Sequence, residues 1–169
     1  MTLDTVKLKI ADYHKNGQTI TALYWLLKKF NLKVNNLQGF EFREAAKPDF
    51  ILLTTEGSFG SPQVIKVPVN IFEFPLELML SLLAHELVHV AQKTIKPFVL
   101  DKNEREWQAY YQMLFRHIYS EIPEIPAFNI RFFCKKALDY YNQMGANSVL
   151  QHKYAHQKIE VENLLKSIC

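Results

Sequence analysis

Residues 75–93, PLELMLSLLAHELVHVAQK, decide the fold of this chain. Proline is tolerated in the first turn of a helix, where its missing amide hydrogen is not needed, so we predict a helix from about Pro75 to Lys93. One stripe of this helix is apolar and spans about 80° of a helical wheel: Leu76, Leu80, Leu83, Ala84, Leu87 and Ala91. Because the opposite side adds Leu78 and Leu82, the helix is expected to be buried nearly all round.

That opposite side also carries an HExxH pattern, His85-Glu86-Leu87-Val88-His89. Residues four apart on a helix lie one turn above each other, so both imidazoles project to one side at a distance that a metal ion can bridge. The Glu86 carboxylate lies at another angle, where it can take a proton from a water held by the metal. Two imidazole ligands and a nearby base predict a hydrolytic centre with Zn²⁺ as its cofactor. Three ionisable groups on a buried helix also need partners, which a metal supplies.

Such a centre needs a third protein ligand, and the next predicted helix, over about 103–119, offers two carboxylates. Glu106 shares a face of that helix with Tyr110 and His117, whereas Glu104 lies about 160° away, near its apolar stripe. A short connection after His89 is long enough to bring this helix alongside the first. The spacing alone leaves both glutamates open as the third ligand.

The remaining periodicities predict an α+β domain that is mostly helical. Apolar residues at helical spacing predict four further helices. The first covers about 3–13, and the second begins at a Thr19 cap and ends near Phe30. The third covers about 128–144 before Gly145, and the fourth begins at a Ser148 cap and ends near Ser167. Alternating or β-rich runs predict three strands, around Phe40 and Phe42, over 49–55 and over 65–71, the last two joined by the loop 57–62. Pro68 cannot donate to a strand ladder, so the third strand is predicted at an edge of the sheet.

The length, together with the absence of an internal repeat or low-complexity linker, predicts a single domain over residues 1–169. Within it, the motif marks a metal-site core at about 64–120 and leaves a helical extension at about 123–168. The formal charge of +3 is too small, and the cations too scattered, to indicate nucleic acid. Cys134 and Cys169 show no metal-ligand spacing and are expected to be ordinary thiols. With no secretion signal or membrane span in the sequence, the expectation is a cytoplasmic protein that binds no membrane.

The stretch HELVHVAQ (85–92) followed by EWQAYYQ (106–112) resembles the gluzincin clan of metallopeptidases, and is most similar to the small minigluzincins and short HELxHVxQ domains. The resemblance covers about residues 64–112. It implies a zincin-like domain in which Glu106 is the third metal ligand, since Glu106 and Ala109 fit the register of the second motif. Tyr110 stands where the family has an aspartate that supports a histidine. The resemblance also implies that the strand 64–71 lines the cleft and pairs with an extended substrate.

Two functions follow as expectations. The first is a zinc metalloendopeptidase-like hydrolase that acts on a peptide or protein, with Glu86 as general base and Tyr110 or His117 as a possible stabiliser of the transition state. The second is a non-catalytic or latent zincin-like domain, in which the metal is structural and the C-terminal helices bind a protein partner. An intact Glu86 favours the first, because a purely structural site has no use for that carboxylate.

Overall fold

The computed structural model describes residues 2–168, and it confirms the α+β class with a three-stranded sheet. Two helices come first, α1 (Leu3–Lys15) and α2 (Thr19–Lys29), followed by strands β1 (Leu37–Arg43), β2 (Thr54–Glu56) and β3 (Gln63–Pro68). A 3-10 turn (Ile71–Glu73) leads into α3 (Leu76–Thr94) and α4 (Lys102–Phe115). The chain ends with α5 (Ala127–Gln143), α6 (Val149–Lys153) and α7 (Ala155–Ser167).

The sheet has the order β1-β3-β2, with β1 parallel and β2 antiparallel to β3. The prediction that the third strand lies at an edge is therefore wrong, because β3 is the central strand. Pro68 is tolerated there because it is the last residue of β3, and the next amide, that of Val69, donates to the Arg43 carbonyl at 3.3 Å. The second predicted strand is also shorter than expected, since only Thr54–Glu56 pairs with β3. It is β2, with a single neighbouring strand, that forms the edge of the sheet beside α3.

The helices follow the predicted positions with three differences. Thr19 does not cap α2, because its hydroxyl bonds to Nδ1 of His14 at 2.7 Å. Helix α4 ends at Phe115 rather than near residue 119, because the next residue, Arg116, adopts a left-handed conformation with φ of 52°. The last predicted helix is divided at Tyr154 into α6 and α7, although the Ser148 cap is confirmed by a 3.1 Å hydrogen bond from the amide of Gln151.

Helix α4 lies between two apolar cores. The first core joins α1, α2, the sheet and the inner face of α3, and α4 contributes Ala109 to it. The second core lies among α4, α5, α6 and α7 around the fully buried Trp107. Both faces of α4 are thus held, one against α3 and the other against the C-terminal helices. Within residues 2–168, no helix has both the length and the hydropathy needed to cross a membrane.

Candidate metal centre

Helix α3 is buried on almost every side, as its sequence predicts. Its apolar stripe belongs to the first core, and the three residues of the motif are also buried, with exposed fractions of 6% for His85, 6% for Glu86 and 8% for His89. One ring nitrogen of each histidine and one carboxylate oxygen of Glu86 lie within 4.8 Å of one another. The cost of burying these polar groups has to be offset by partners, which come from β2, from α4 and from α3 itself.

Glu106 of α4 meets both histidines. The two Nε2 atoms are 3.1 Å apart, and the Glu106 carboxylate places Oε2 3.4 Å from Nε2 of His85 and Oε1 3.6 Å from Nε2 of His89. A tetrahedral zinc ion with bonds of about 2.0–2.1 Å holds its ligand atoms about 3.3 Å apart. The three separations are close to this value, with a different oxygen of Glu106 facing each histidine. Two imidazole nitrogens and a carboxylate are a ligand set that zinc accepts.

Glu104 points elsewhere, although it is only two residues away. Its Oε1 accepts hydrogen bonds from Nζ of Lys153 at 2.7 Å and from the hydroxyl of Tyr154 at 2.6 Å. The structure therefore brings Glu106, and not Glu104, to the histidines. The reason is the angle of about 160° between the two positions, since α4 packs on α3 with one face and on the C-terminal helices with the other.

The orientation of both imidazoles exposes their Nε2 lone pairs to Glu106. Nδ1 of His89 lies 2.8 Å from Oε1 of Gln92, and Nδ1 of His85 lies 3.1 Å from the sulfur of Met113. With a proton on each Nδ1, three electron-rich groups converge on one point. Such a cluster requires either a shared proton or a cation between its members.

The close approach of these groups changes the pKa values of Glu106 and His89. Burial acts to raise the pKa of Glu106, but hydrogen bonds to His85 and His89 outweigh it and hold that pKa well below its usual range. Burial likewise acts to lower the pKa of His89, but its hydrogen bond to Glu106 and the nearby charge of Glu86 outweigh it, so the pKa is raised. The site therefore favours an anionic Glu106 and positive charge beside it.

Glu86 is held by strand β2 rather than by the histidines. The hydroxyl of Thr55 lies 2.8 Å from Oε2 of Glu86 and 3.0 Å from its backbone carbonyl. Nζ of Lys93, one turn beyond His89, donates to the carbonyl of Thr55 at 2.8 Å and so fixes the same strand. Sequence reasoning missed Thr55, because nothing local marks which residue of a short strand faces a helix 31 positions later.

A chain of hydrogen bonds connects His89 to the C-terminal helices. Beyond the His89 contact, Nε2 of Gln92 donates to Oε1 of Gln108 at 2.9 Å, and also to the carbonyl of Arg105 at 3.0 Å. Nε2 of Gln108 donates to the hydroxyl of Tyr154 at 2.6 Å, and that hydroxyl donates to Glu104. We call this series the Gln92–Tyr154 chain. The i+3 spacing of Gln92 from His89 is the sequence signal that could have found its first member.

The two candidates for transition-state stabilisation are placed differently. The ring of Tyr110 packs edge-on against His85, with centroids 4.6 Å apart, and lines the cleft beside the histidines. Burial, followed by the charge of Glu106, raises the pKa of Tyr110, so its hydroxyl stays protonated as a donor. His117 stacks on Phe115 with centroids 6.0 Å apart and is not part of the cleft lining.

The histidines open into a cleft of about 580 Å³. The segment 49–55 forms one wall, and helices α3, α4 and α5 form the others. Its apolar lining includes Leu52, Leu78, Leu82, Phe128, Phe132, Phe133 and Tyr140, and its cations are Lys93, Lys102, Arg105 and Lys136. The cleft thus gives an extended molecule access to Glu86 and to the cluster around Glu106.

No protein-family model, curated protein or solved structure matches this chain. The resemblance to the gluzincin clan therefore stays a prediction that depends on residues 85–92 and 106–112. The geometry of the candidate metal centre depends only on the contacts described above.

Proposed function

We propose that this chain is a zinc-dependent peptidase, in which His85, His89 and Glu106 hold the metal and Glu86 is the general base. The observation that carries the proposal is the convergence of two imidazole nitrogens and one carboxylate, 3.1–3.6 Å apart, beside a second carboxylate that makes no ion pair with them. When bound, zinc supplies Lewis acidity, which polarises a carbonyl and lowers the pKa of water to about 7.

The chain's own residues divide the remaining work. Glu86 accepts a proton at its carboxylate and later returns it to the departing amine. Thr55 holds that carboxylate through its 2.8 Å hydrogen bond and keeps it turned toward the cleft. Tyr110, with a protonated hydroxyl on the cleft wall, is the nearer of the two predicted donors for a developing oxyanion.

Strand β2 takes the substrate-binding role that the sequence predicted for the strand 64–71. It has β3 on one side only, and its residues Thr54 and Thr55 line the cleft. An extended peptide that lies along such an edge gains main-chain hydrogen bonds without a deep pocket. This mode of binding suits a small domain that acts on unfolded or extended segments.

Zinc content by elemental analysis is the first test of the proposal, comparing wild type with Glu106→Gln and with the matched variant Glu104→Gln on the same helix. We expect about one zinc per chain in wild type and in Glu104→Gln, and at least a tenfold loss of affinity in Glu106→Gln. Glutamine at position 104 keeps an oxygen for Tyr154, so its fold is preserved. A wild type that takes up no supplied zinc would overturn the proposal.

Cleavage of a peptide mixture by wild type and by Glu86→Gln then tests the chemistry. We expect cleavage by wild type only, with equal zinc in both proteins, because Glu86 is not a ligand of the metal. Zinc uptake without cleavage of any peptide would instead support the alternative, a protein-binding module with a structural metal.

A further inference from the structure

Four cations line the cleft without an acidic partner. Within residues 2–168, none of Lys93, Lys102, Arg105 and Lys136 makes an ion pair with a carboxylate. The acidic residues of the lining do not neutralise them: Glu86 and Glu106 face Thr55 and the histidines, and Asp49 makes no ion pair. The four cations outnumber the three carboxylates of the lining by one, and because none of the four is held in an ion pair, they can attract an anion.

Lys93 is the cation closest to the candidate metal centre along α3. It lies one helical turn beyond His89 on the same face, about 6 Å along the axis. Its ammonium group donates one hydrogen bond, to the carbonyl of Thr55, and keeps two donors free. Burial, followed by the charge of Arg105, lowers the pKa of Lys93, and the opposing charges of Glu86 and Glu56 do not offset this effect.

Arg105 lines the same cleft as Lys93 and is held by bonds that leave part of its guanidinium free. Nη1 donates to the carbonyls of Val99 at 3.0 Å and Leu100 at 2.7 Å, and the group lies over the ring of Phe59 at 5.4 Å. Its Nε and Nη2 atoms donate to no residue in the described part of the chain. A guanidinium held in this way offers a preorganised fork, the geometry that binds a carboxylate.

We propose that Lys93 and Arg105 form a subsite for a carboxylate of the peptide substrate. The proposal rests on the proposed function and names its substrate class, which is a peptide with an acidic side chain or its own C-terminus near the scissile bond. An extended peptide advances about 3.3 Å per residue, so the rise of about 6 Å along the α3 axis from His89 to Lys93 corresponds to about two residues.

The test uses capped octapeptides in matched sets, with Glu or Gln at each position within two residues of the scissile bond, and with a free acid or an amide at the C-terminus. Peptides cleaved by wild type are compared with those cleaved by Lys93→Gln, in which the charge is removed and an amide donor remains. Lys96→Gln is the control, since Lys96 is exposed, three residues away and outside the cleft lining.

We expect wild type to prefer the acidic member of a pair by at least tenfold in kcat/KM, the effect of one charge-assisted contact. Lys93→Gln should lose most of that preference, measured as the ratio of kcat/KM for the acidic and amide peptides within the variant itself, and Lys96→Gln should keep it. Preference for Glu over Gln assigns the subsite to a side chain, and preference for acid over amide assigns it to a C-terminus. The proposal is refuted if wild type shows neither preference, or if the preference persists in both Lys93→Gln and Arg105→Gln.

Equilibrium binding of the same peptides to zinc-loaded Glu86→Gln separates this proposal from the peptidase itself. Binding that favours the acidic peptide and depends on Lys93, in a protein whose wild type cleaves nothing, would retain the subsite and refute the peptidase. Cleavage without an acidic preference would retain the peptidase and refute the subsite. Absence of both binding preference and cleavage would refute both.

Discussion

Replacement of Gln92 by methionine should weaken zinc binding without touching a metal ligand. The side chain of Gln92 accepts from Nδ1 of His89 and donates to two groups of α4, so it fixes both the tautomer and the ring angle of that histidine. Methionine has a similar length but offers only a weak acceptor. The imidazole of His89 then loses the partner that directs its Nε2 toward Glu106.

The size of the effect follows from the position of Gln92 directly behind a ligating histidine. Removal of the hydrogen-bonding partner of such a histidine costs about 10–100-fold in metal affinity, which is about 1.4–2.7 kcal/mol. The apo protein should also lose about 1–3 kcal/mol of stability, because two part-buried acceptors on α4, the Arg105 carbonyl and Oε1 of Gln108, lose their donor. Only the first effect is specific to the metal.

A matched control separates the two effects. Gln112 is as buried as Gln92, with 5% against 6% exposed, and its Oε1 accepts from the amide of Ile118 without contact to either histidine. Zinc affinity, measured by competition with a chromophoric chelator, should fall in Gln92→Met and not in Gln112→Met, while thermal unfolding of both apo proteins reports their stability. A zinc affinity of Gln92→Met within twofold of wild type would show that Gln92 does not orient the ligand.

Three further predictions follow from the same contacts. Thr55→Val should lower kcat about tenfold with zinc content unchanged, because the Glu86 carboxylate loses the hydrogen bond that fixes it. Steady-state kinetics of this variant beside the control Thr54→Val checks the prediction. Equal losses of kcat in the two variants would contradict it. Tyr154→Phe should lower zinc affinity, but by less than Gln92→Met does, whereas Tyr141→Phe in the same apolar core should leave zinc affinity unchanged. The chelator assay compares the variants. An unchanged affinity in Tyr154→Phe would show that the Gln92–Tyr154 chain does not support His89. Zinc at 100 times its Kd should stabilise the fold by about 2.7 kcal/mol. Removal of the zinc by a chelator should therefore lower Tm by about 5–11 °C, measured by calorimetry. An unchanged Tm would refute metal binding to the native state.

The sequence predicted those features that depend on local spacing. The apolar stripe of α3 and the i, i+4 histidines follow from helical geometry alone, and the structure places them as predicted. Spacing alone left Glu104 and Glu106 as candidates for the third ligand, because both lie on the next predicted helix, and only the family resemblance favoured Glu106. Choosing between them required the packing of α4, which periodicity does not specify.

Features that depend on distant pairing were predicted less well. The edge position was assigned to β3 from Pro68, a rule that holds for a strand interior but not for a strand's last residue. The edge strand beside α3, β2, is only three residues long, and it supplies the partner of Glu86. The break at Tyr154 was also unpredicted, because the contacts that accompany it lie about fifty residues earlier in the chain.

The predicted metal-site core and the predicted C-terminal extension are packed against each other in the structure. The face of α4 that carries Glu106 meets α3, and the opposite face carries Trp107 and Glu104 into the core formed with α5, α6 and α7. Helix α5 also supplies Phe128, Phe132 and Lys136 to the cleft. Because Glu106 lies on a helix whose other face packs on these elements, the C-terminal helices help to position it beside His85 and His89. A fragment ending near residue 120 would leave α4 without that packing. The short motif thus predicts the chemistry, while the position of Glu106 beside the two histidines depends on the contacts that α4 makes with α3 and with the C-terminal helices.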